Sequence, residues 1–307
     1  NRSIEFAKKF GVAVHVRSSF SDSPGTMITA RPEIADRPVS GAALEKNEAR
    51  VTILGVPDHP GAAITLFSKI AAKKIGMDMI VQNVAAEGHT DISFTVLKDE
   101  LPTTLKSVEE GVEEVEAAGF DYEDDVSKIS VVGLGMEDQS GVAEKMFRTL
   151  AEKGINILMI STSEIKISAL VKRRDALEAL RAVHEEFGLD REPPGVEKTR
   201  REPMHPVAKE DTVDLIARLQ GLEDVIIERI SLDDTQARVT LVEVPDTPGL
   251  AAQVFGEIAE AEILVDMIVQ SMGREGHTNL SFTVPRTDLE RSLKLATELA
   301  KGFGSPP

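Results

Sequence analysis

VPDHPGAAITLF, residues 56–67, returns as VPDTPGLAAQVF at residues 244–255. Each copy joins an apolar, β-rich run to a helical pattern. Shifting the chain by 188 aligns Ala49 with Ala237 without a gap. ARVTILGVPDHPG, DMIVQNV and EGHTDISFTV fall onto ARVTLVEVPDTPG, DMIVQSM and EGHTNLSFTV, with about half the positions identical. Self-similarity of this kind makes the repeat the unit of the fold. A more divergent copy begins at Lys128, KISVVGLGMEDQSGVAEKMFRTLAEKGINILMISTSEIKISALV, once two extra residues are allowed in its turn.

Every copy carries the same periodicities. Val51 to Val56 reads as a strand. Ala63, Leu66, Phe67, Ile70 and Ala71 then follow the i, i+3, i+4, i+7 spacing of a half-buried helix. Ala143, Met146, Phe147, Leu150 and Ala151 repeat that stripe, as do Ala251, Val254, Phe255, Ile258 and Ala259. Met77 to Val81 reads as a second strand. Ile92, Phe94 and Val96 alternate with Asp91, Ser93 and Thr95, which predicts a strand with one buried face. Leu101, Leu105, Val108, Val112 and Val115 form the stripe of a second helix. The order β-α-β-β-α needs one more strand to become an α+β, ferredoxin-like βαββαβ unit with an antiparallel sheet.

The leads before each first strand supply that strand: VSGAALEKNEA (39–49), FDYEDDVSK (120–128) and VIIERISLDDTQA (225–237). The second directly follows the first module's second helix and closes that module. The first is expected to close the second module, so that module 1 (49–126) is inserted within module 2 (38–48 with 127–188). Module 3 (225–303) lacks a closing strand, and its lead awaits a fourth module. Residues 189–224 are expected to form a Pro-rich, charged linker and a short helix, TVDLIARLQ. Residues 1–32 share nothing with the repeats and read as helix, strand, turn and strand, the tail of another domain.

Composition sets outer bounds. The 307 residues carry 35 Lys and Arg against 52 Asp and Glu, a net charge of −17, which argues against nucleic acid or an anionic membrane as partner. The absence of Cys removes disulfides, thiolate nucleophiles and zinc–thiolate sites, and points to the cytoplasm. Apolar runs such as GINILMIS are far shorter than the roughly 20 residues of a membrane span. The six His show no paired metal-ligand spacing. VVGLGMEDQSG is not a GxGxxG loop but a variant of the repeated turn.

In VPDHPG, Asp58 suits a helix cap, Pro60 a first helical turn, and Gly61 leaves room for a ligand beside the backbone. One reading is simply a well-made helix start. The other uses the free N–H groups of the first turn and the helix dipole to hold an anion such as an α-carboxylate. An α-ammonium then requires a carboxylate nearby; Asp78 is the candidate, echoed by Asp266, where module 2 has Leu158.

HVRSSFSDSPGTMI, ARVTILGVPDHPG, DMIVQNV and above all MISTSEIKIS resemble the C-terminal regulatory region of aspartate kinases, with tandem ACT domains after the end of the kinase domain. The resemblance covers residues 1–188 and module 3. It implies feedback inhibition by lysine, threonine or both, bound between ACT domains. On matching positions, the effector site would comprise Asp58, Gly61, Ala63, Gly76, Met77, Asp78, Gln82 and Asn83, with Ala143, Glu144, Asn156, Ile157, Ser163 and Glu164 from module 2. A second site would use Asp246, Gly249, Ala251, Asp266 and Gln270, although Ser271 replaces the Asn and Leu264 the Gly. It further implies a homodimer through ACT domains, a kinase catalytic domain as partner, and ATP with Mg in the complete enzyme but no cofactor in this chain. The family's Lys-Phe-Gly-Gly motif has only Lys9-Phe10-Gly11-Val12 as counterpart, after a helix, so this chain alone is expected to be inactive. Arg17 and Ser18 end a strand and, in the complete enzyme, would lie within reach of nucleotide. The rival reading is a stand-alone amino-acid sensor or interaction protein.

Overall fold

The computed structural model describes residues 4, 7, 11–28, 38–83, 88–134, 136, 141–191, 232–271 and 276–304. The expected helix at 212–220 and most of the linker and third lead lie outside the described residues, as does most of the expected first helix. Strands β1 (Val14–Val16) and β2 (Thr26–Ile28) form a separate antiparallel pair. The three modules follow. Module 1 uses β3 (Gly41–Pro57), α1 (Ala62–Ala72), β4 (Met77–Gln82), β5 (His89–Leu97), α2 (Leu101–Glu114) and β6 (Gly119–Val132). Module 2 adds α3 (Val142–Glu152), β7 (Met159–Ser163), β8 (Lys166–Lys172) and α4 (Ala176–Glu186). Module 3 has β9 (Gln236–Pro245), α5 (Leu250–Glu260), β10 (Ile268–Gln270), β11 (His277–Pro285) and α6 (Leu289–Gly302).

Nine strands make one antiparallel sheet in the order β4-β5-β3-β6-β8-β7-β10-β11-β9. Two of its strands are shared. The first part of β3 pairs Gly41–Glu45 with Val132–Lys128 of module 2, and its second part pairs Arg50–Leu54 with Glu123–Gly119 of module 1. Module 1 is therefore inserted in module 2, each closing the other's sheet. Register shifts between Glu45 and Arg50 bend β3 at the crossing. Arg173 holds that bend by donating to the carbonyls of Lys46, Glu48 and Asp124.

The helices cover one face of each module. Ile92, Phe94 and Val96 point into module 1's core with Leu66 and Ile70, as their alternation predicts. The helix stripe, however, is rotated: Ala62 rather than Ala63 is buried, and Ala71 is exposed. The opposite face of β5 is buried as well, with Ser93 at 1% and Thr95 at 0% exposure. The reason is tertiary. The backs of the module 1 and module 2 sheets pack together, Met79 and Val81 against Val126, Leu158, Met159 and Leu170. Small hydroxyl pairs, Thr52 with Ser93 and Ser130 with Ser168, satisfy each other there. Arg50, fully buried in β3, lies 3.6 Å from Asp121 and 3.7 Å from Glu123.

Modules 2 and 3 meet side by side instead. β7 joins β10 through Ser161–Val269 and Ile160–Gln270, and α3 packs on α5 with the Phe147 and Phe255 rings 5.6 Å apart. One hydrophobic core runs through both modules.

Candidate functional site

All three turns start their helices in the same way. Gly61, Gly141 and Gly249 are the N-caps of α1, α3 and α5, with φ of 102°, 89° and 98° and no side-chain cap. Asp58 therefore does not cap the helix, and Pro60 lies before it; the Asp58 N–H donates instead to Gly88 O. Nor is space the reason for the glycine. A Cβ on Gly61 would meet nothing within 4 Å, so the left-handed backbone is what selects Gly. With the cap side chain missing, the next first-turn N–H groups keep no intrahelical partner, the arrangement that receives a carboxylate, while the first ones of α1 and α5, on Ala62 and Leu250, donate to His59 O and Thr247 O.

The side-by-side junction sets these turns opposite residues of the neighbouring module, twice, about a pseudo-twofold axis. One cavity, about 60 Å³, is lined by Gly141, Ala143, Glu144, Thr162, Ser163 and Glu164 of module 2 with Phe255, Ile263, Val265 and Asp266 of module 3. The other, about 10 Å³, is lined by Thr247, Gly249, Ala251 and Gln270 of module 3 with Ile155, Asn156 and Ile157 of module 2. The repeat register exchanges Gly141 with Gly249, Ala143 with Ala251, Thr162 with Gln270 and Ile155 with Ile263.

Charge distinguishes the two. In the first cavity Asp266 is pushed above the usual carboxylate range, by partial burial and then by the negative charges of Glu164 and Asp233. Glu144 is committed to Arg148 at 2.8 Å. A cation between Asp266 and Glu164 would relieve their repulsion. Beside the second cavity, Asp246, held by the lining residue Asn156 at 3.2 Å, is also raised, by burial, against that opposing hydrogen bond and the charge of Arg50. Gln270 donates to Ile157 O at 3.3 Å, while its buried Oε1 accepts from no group among the described residues.

Among the described residues of this chain the residues expected for a module 1–module 2 site lie apart from one another. Ala143, Glu144, Ser163 and Glu164 join Asp266, and Asn156 and Ile157 join Asp246, Gly249, Ala251 and Gln270. From module 1, only Asp58, Gly61, Ala63 and Gln82 share a depression, open and about 330 Å³, with no facing module among the described residues. Met77 packs into module 1's own core, and Gly76 is exposed. Asp78 is bound to Lys128 and lies 3.5 Å from Lys166, so it is a latch between sheets rather than an ammonium acceptor. Asn83 accepts a hydrogen bond from Ser271, its own equivalent in module 3. Thr162, Ile263 and Val265 were missed from the sequence; the repeat register was the signal that pointed to them.

Comparison with known proteins agrees with this architecture. The ACT domain family model matches residues 129–187 and 239–298. The chain is 43% identical to an aspartokinase from Helicobacter pylori over 195 residues, 62% of this chain and 48% of that protein. The crystal structure of aspartate kinase from Synechocystis has 33% identity and a TM-score of 0.74, over 98% of this chain and 50% of that one. A regulatory subunit of aspartate kinase from Thermus thermophilus is 37% identical over 49% of this chain and 99% of its own, with a TM-score of 0.47. The fold and its paired glycine turns are those of a tandem ACT-domain protein. Within that class the chain belongs to the aspartate kinase family, and it is similar to the C-terminal regulatory regions of that family. It spans about half the length of the curated relatives it matches.

Proposed function

We propose that this chain is the feedback-sensing part of an aspartate kinase, binding free amino acids, lysine or threonine, between modules 2 and 3. The observation that carries this reading is the doubled arrangement of a glycine-started helix from one module facing the neighbouring module, with Asp266 beside Glu164 in one cavity. A zwitterion matches both poles: its carboxylate meets the N–H groups of α3 and its ammonium meets Asp266 and Glu164. The second cavity, with Asp246, Asn156 and the free acceptor of Gln270, is shaped for a smaller, hydroxylated amino acid.

In the complete enzyme the phosphoryl donor would be ATP with Mg and the acceptor L-aspartate, at the head of lysine, threonine and methionine synthesis; no residue of this chain is assigned to that step. The modules act by differential affinity, since a ligand gripped by two modules stabilises one packing over another. A homodimer is the proposed assembly. The flank of α1 and β4 carries Ile64 and Ile80, 68% and 48% exposed, where α3 and α5 cover each other. The described helices include none long and apolar enough to cross a membrane, which suits the proposed cytoplasmic setting.

Calorimetry of the full chain with L-lysine and L-threonine tests the reading. Saturable heat is expected for at least one, lost in Asp266→Ala for a ligand of the first cavity and in Asp246→Ala for a ligand of the second. No heat from either amino acid with a folded chain would refute it.

A further inference from the structure

Module 1 lies against only one of the two cavities. Asn156 and Ile157 line the Asp246 cavity, and the next two residues, Leu158 and Met159, turn their side chains the other way onto Met79 and Val81 of β4. Val269 packs on the same cluster. Gln270 lines the cavity, and the next residue, buried Ser271, donates its hydroxyl to Asn83 at the end of β4. Both segments that form this cavity's floor therefore rest on module 1. The Asp266 cavity is backed less extensively: its lining includes none of that cluster, and among the described residues module 1 approaches it through Val269, next to the lining residue Ile268, and through the partly exposed Asp78–Lys166 pair at 3.5 Å.

The cavity beside Asp246 is also small, about 10 Å³, room for about one water molecule. An amino acid can enter only if the floor or the α5 side gives way. Packed interiors transmit such displacement rather than absorb it. We propose that Asn83, Met79 and Val81 are positioning residues for the Asp246 cavity, and that occupancy of this cavity and docking of module 1 oppose each other. This rests on the reading that the cavities take amino acids. A ligand at Asp246 shifts residues 156–159 and 269–271 against module 1 and loosens β4. By reciprocity, loosening β4 raises affinity at Asp246. A ligand at Asp266 has a weaker lever, through Ile268 and Val269 alone and without the Ser271–Asn83 bond, which makes the two pseudo-symmetric cavities unequal as signals.

The test is amide hydrogen exchange of the full chain with L-threonine and, separately, L-lysine. The ligand that protects Asn156, Ile157 and Gln270 is expected to speed exchange of Met77–Gln82 several-fold, and to do so equally in Asp266→Ala. Calorimetry of Asn83→Ala is expected to show binding tighter on the order of five-fold. Asn83→Asp, which keeps the acceptor for Ser271, is expected to bind as the parent does. A residue of purely structural value would weaken binding when removed. The proposal is overturned if residues 156, 157 and 270 respond while β4 does not, or if Asn83→Ala binds equally or less tightly. If neither amino acid changes exchange in either cavity, amino-acid binding itself is refuted, and this inference with it.

Discussion

At the scale of single residues, backbone conformation and charge placement outweigh the local chemistry that the turn suggests. Gly61 carries a left-handed φ in open space, so Gly61→Ala should cost about 1–2 kcal/mol from the backbone alone. Gly133 is the opposite case. A Cβ there would sit 1.8 Å from Pro38 O, so Gly133→Ala should destabilise considerably more; urea unfolding of the two variants gives the ranking. Asp78 was legible as a carboxylate at a strand start, but its partner was not. Burial alone would raise its pKa, yet the hydrogen bond and charge of Lys128, with Lys166, hold it below the usual range. The unfolded chain then binds the proton more tightly, and the stabilisation from Asp78 is complete above the unfolded pKa of about 3.9 and lost as pH falls through the lower, folded value. Asp78→Asn should remove that part of the acid sensitivity, seen as a smaller loss of melting temperature between neutral pH and roughly pH 3.

Among elements, the helix stripes were readable because their spacing is local, and the strands because apolar residues alternate. What the spacing could not tell is which helix flank meets another module. Phe67, Phe147 and Phe255 are equivalent in the repeats, yet Phe147 and Phe255 pack on each other while Phe67 stays half-buried beside exposed Ile64. Phe147→Ala opens the α3–α5 contact on which both cavities depend. It is expected to cost about 3–5 kcal/mol in chemical unfolding and to abolish amino-acid heat in calorimetry; unchanged binding would place the ligand elsewhere. The polar faces of β5 and β8 carry the same lesson. Ser93 and Thr95 read as solvent-facing in alternation, but they, like Ser168 of β8, line the seam between sheets, where small hydroxyls pair and admit close approach.

Over the whole molecule, insertion and pairing pattern decide function. Swapped closing strands tie modules 1 and 2 into one unit, and the side-by-side junction assigns both cavities to modules 2 and 3. The flank of module 1 that no neighbour covers among the described residues is where the proposed dimer would form: Ile64→Lys with Ile80→Lys is expected to turn such a dimer into a monomer in sedimentation velocity, with secondary structure intact. The sequence by itself determined the repeat, the βαββαβ module, the inserted topology and the composition of the turns, because each rests on periodicity or on connection length along the chain. Only the tertiary structure decided which modules share a pocket, that Asp78 latches two sheets, and that Asn83 meets Ser271. Those outcomes depend on how nearly identical flanks and sheet faces compete for one another, and copies of one motif carry no label in the chain for the partner that buries them best.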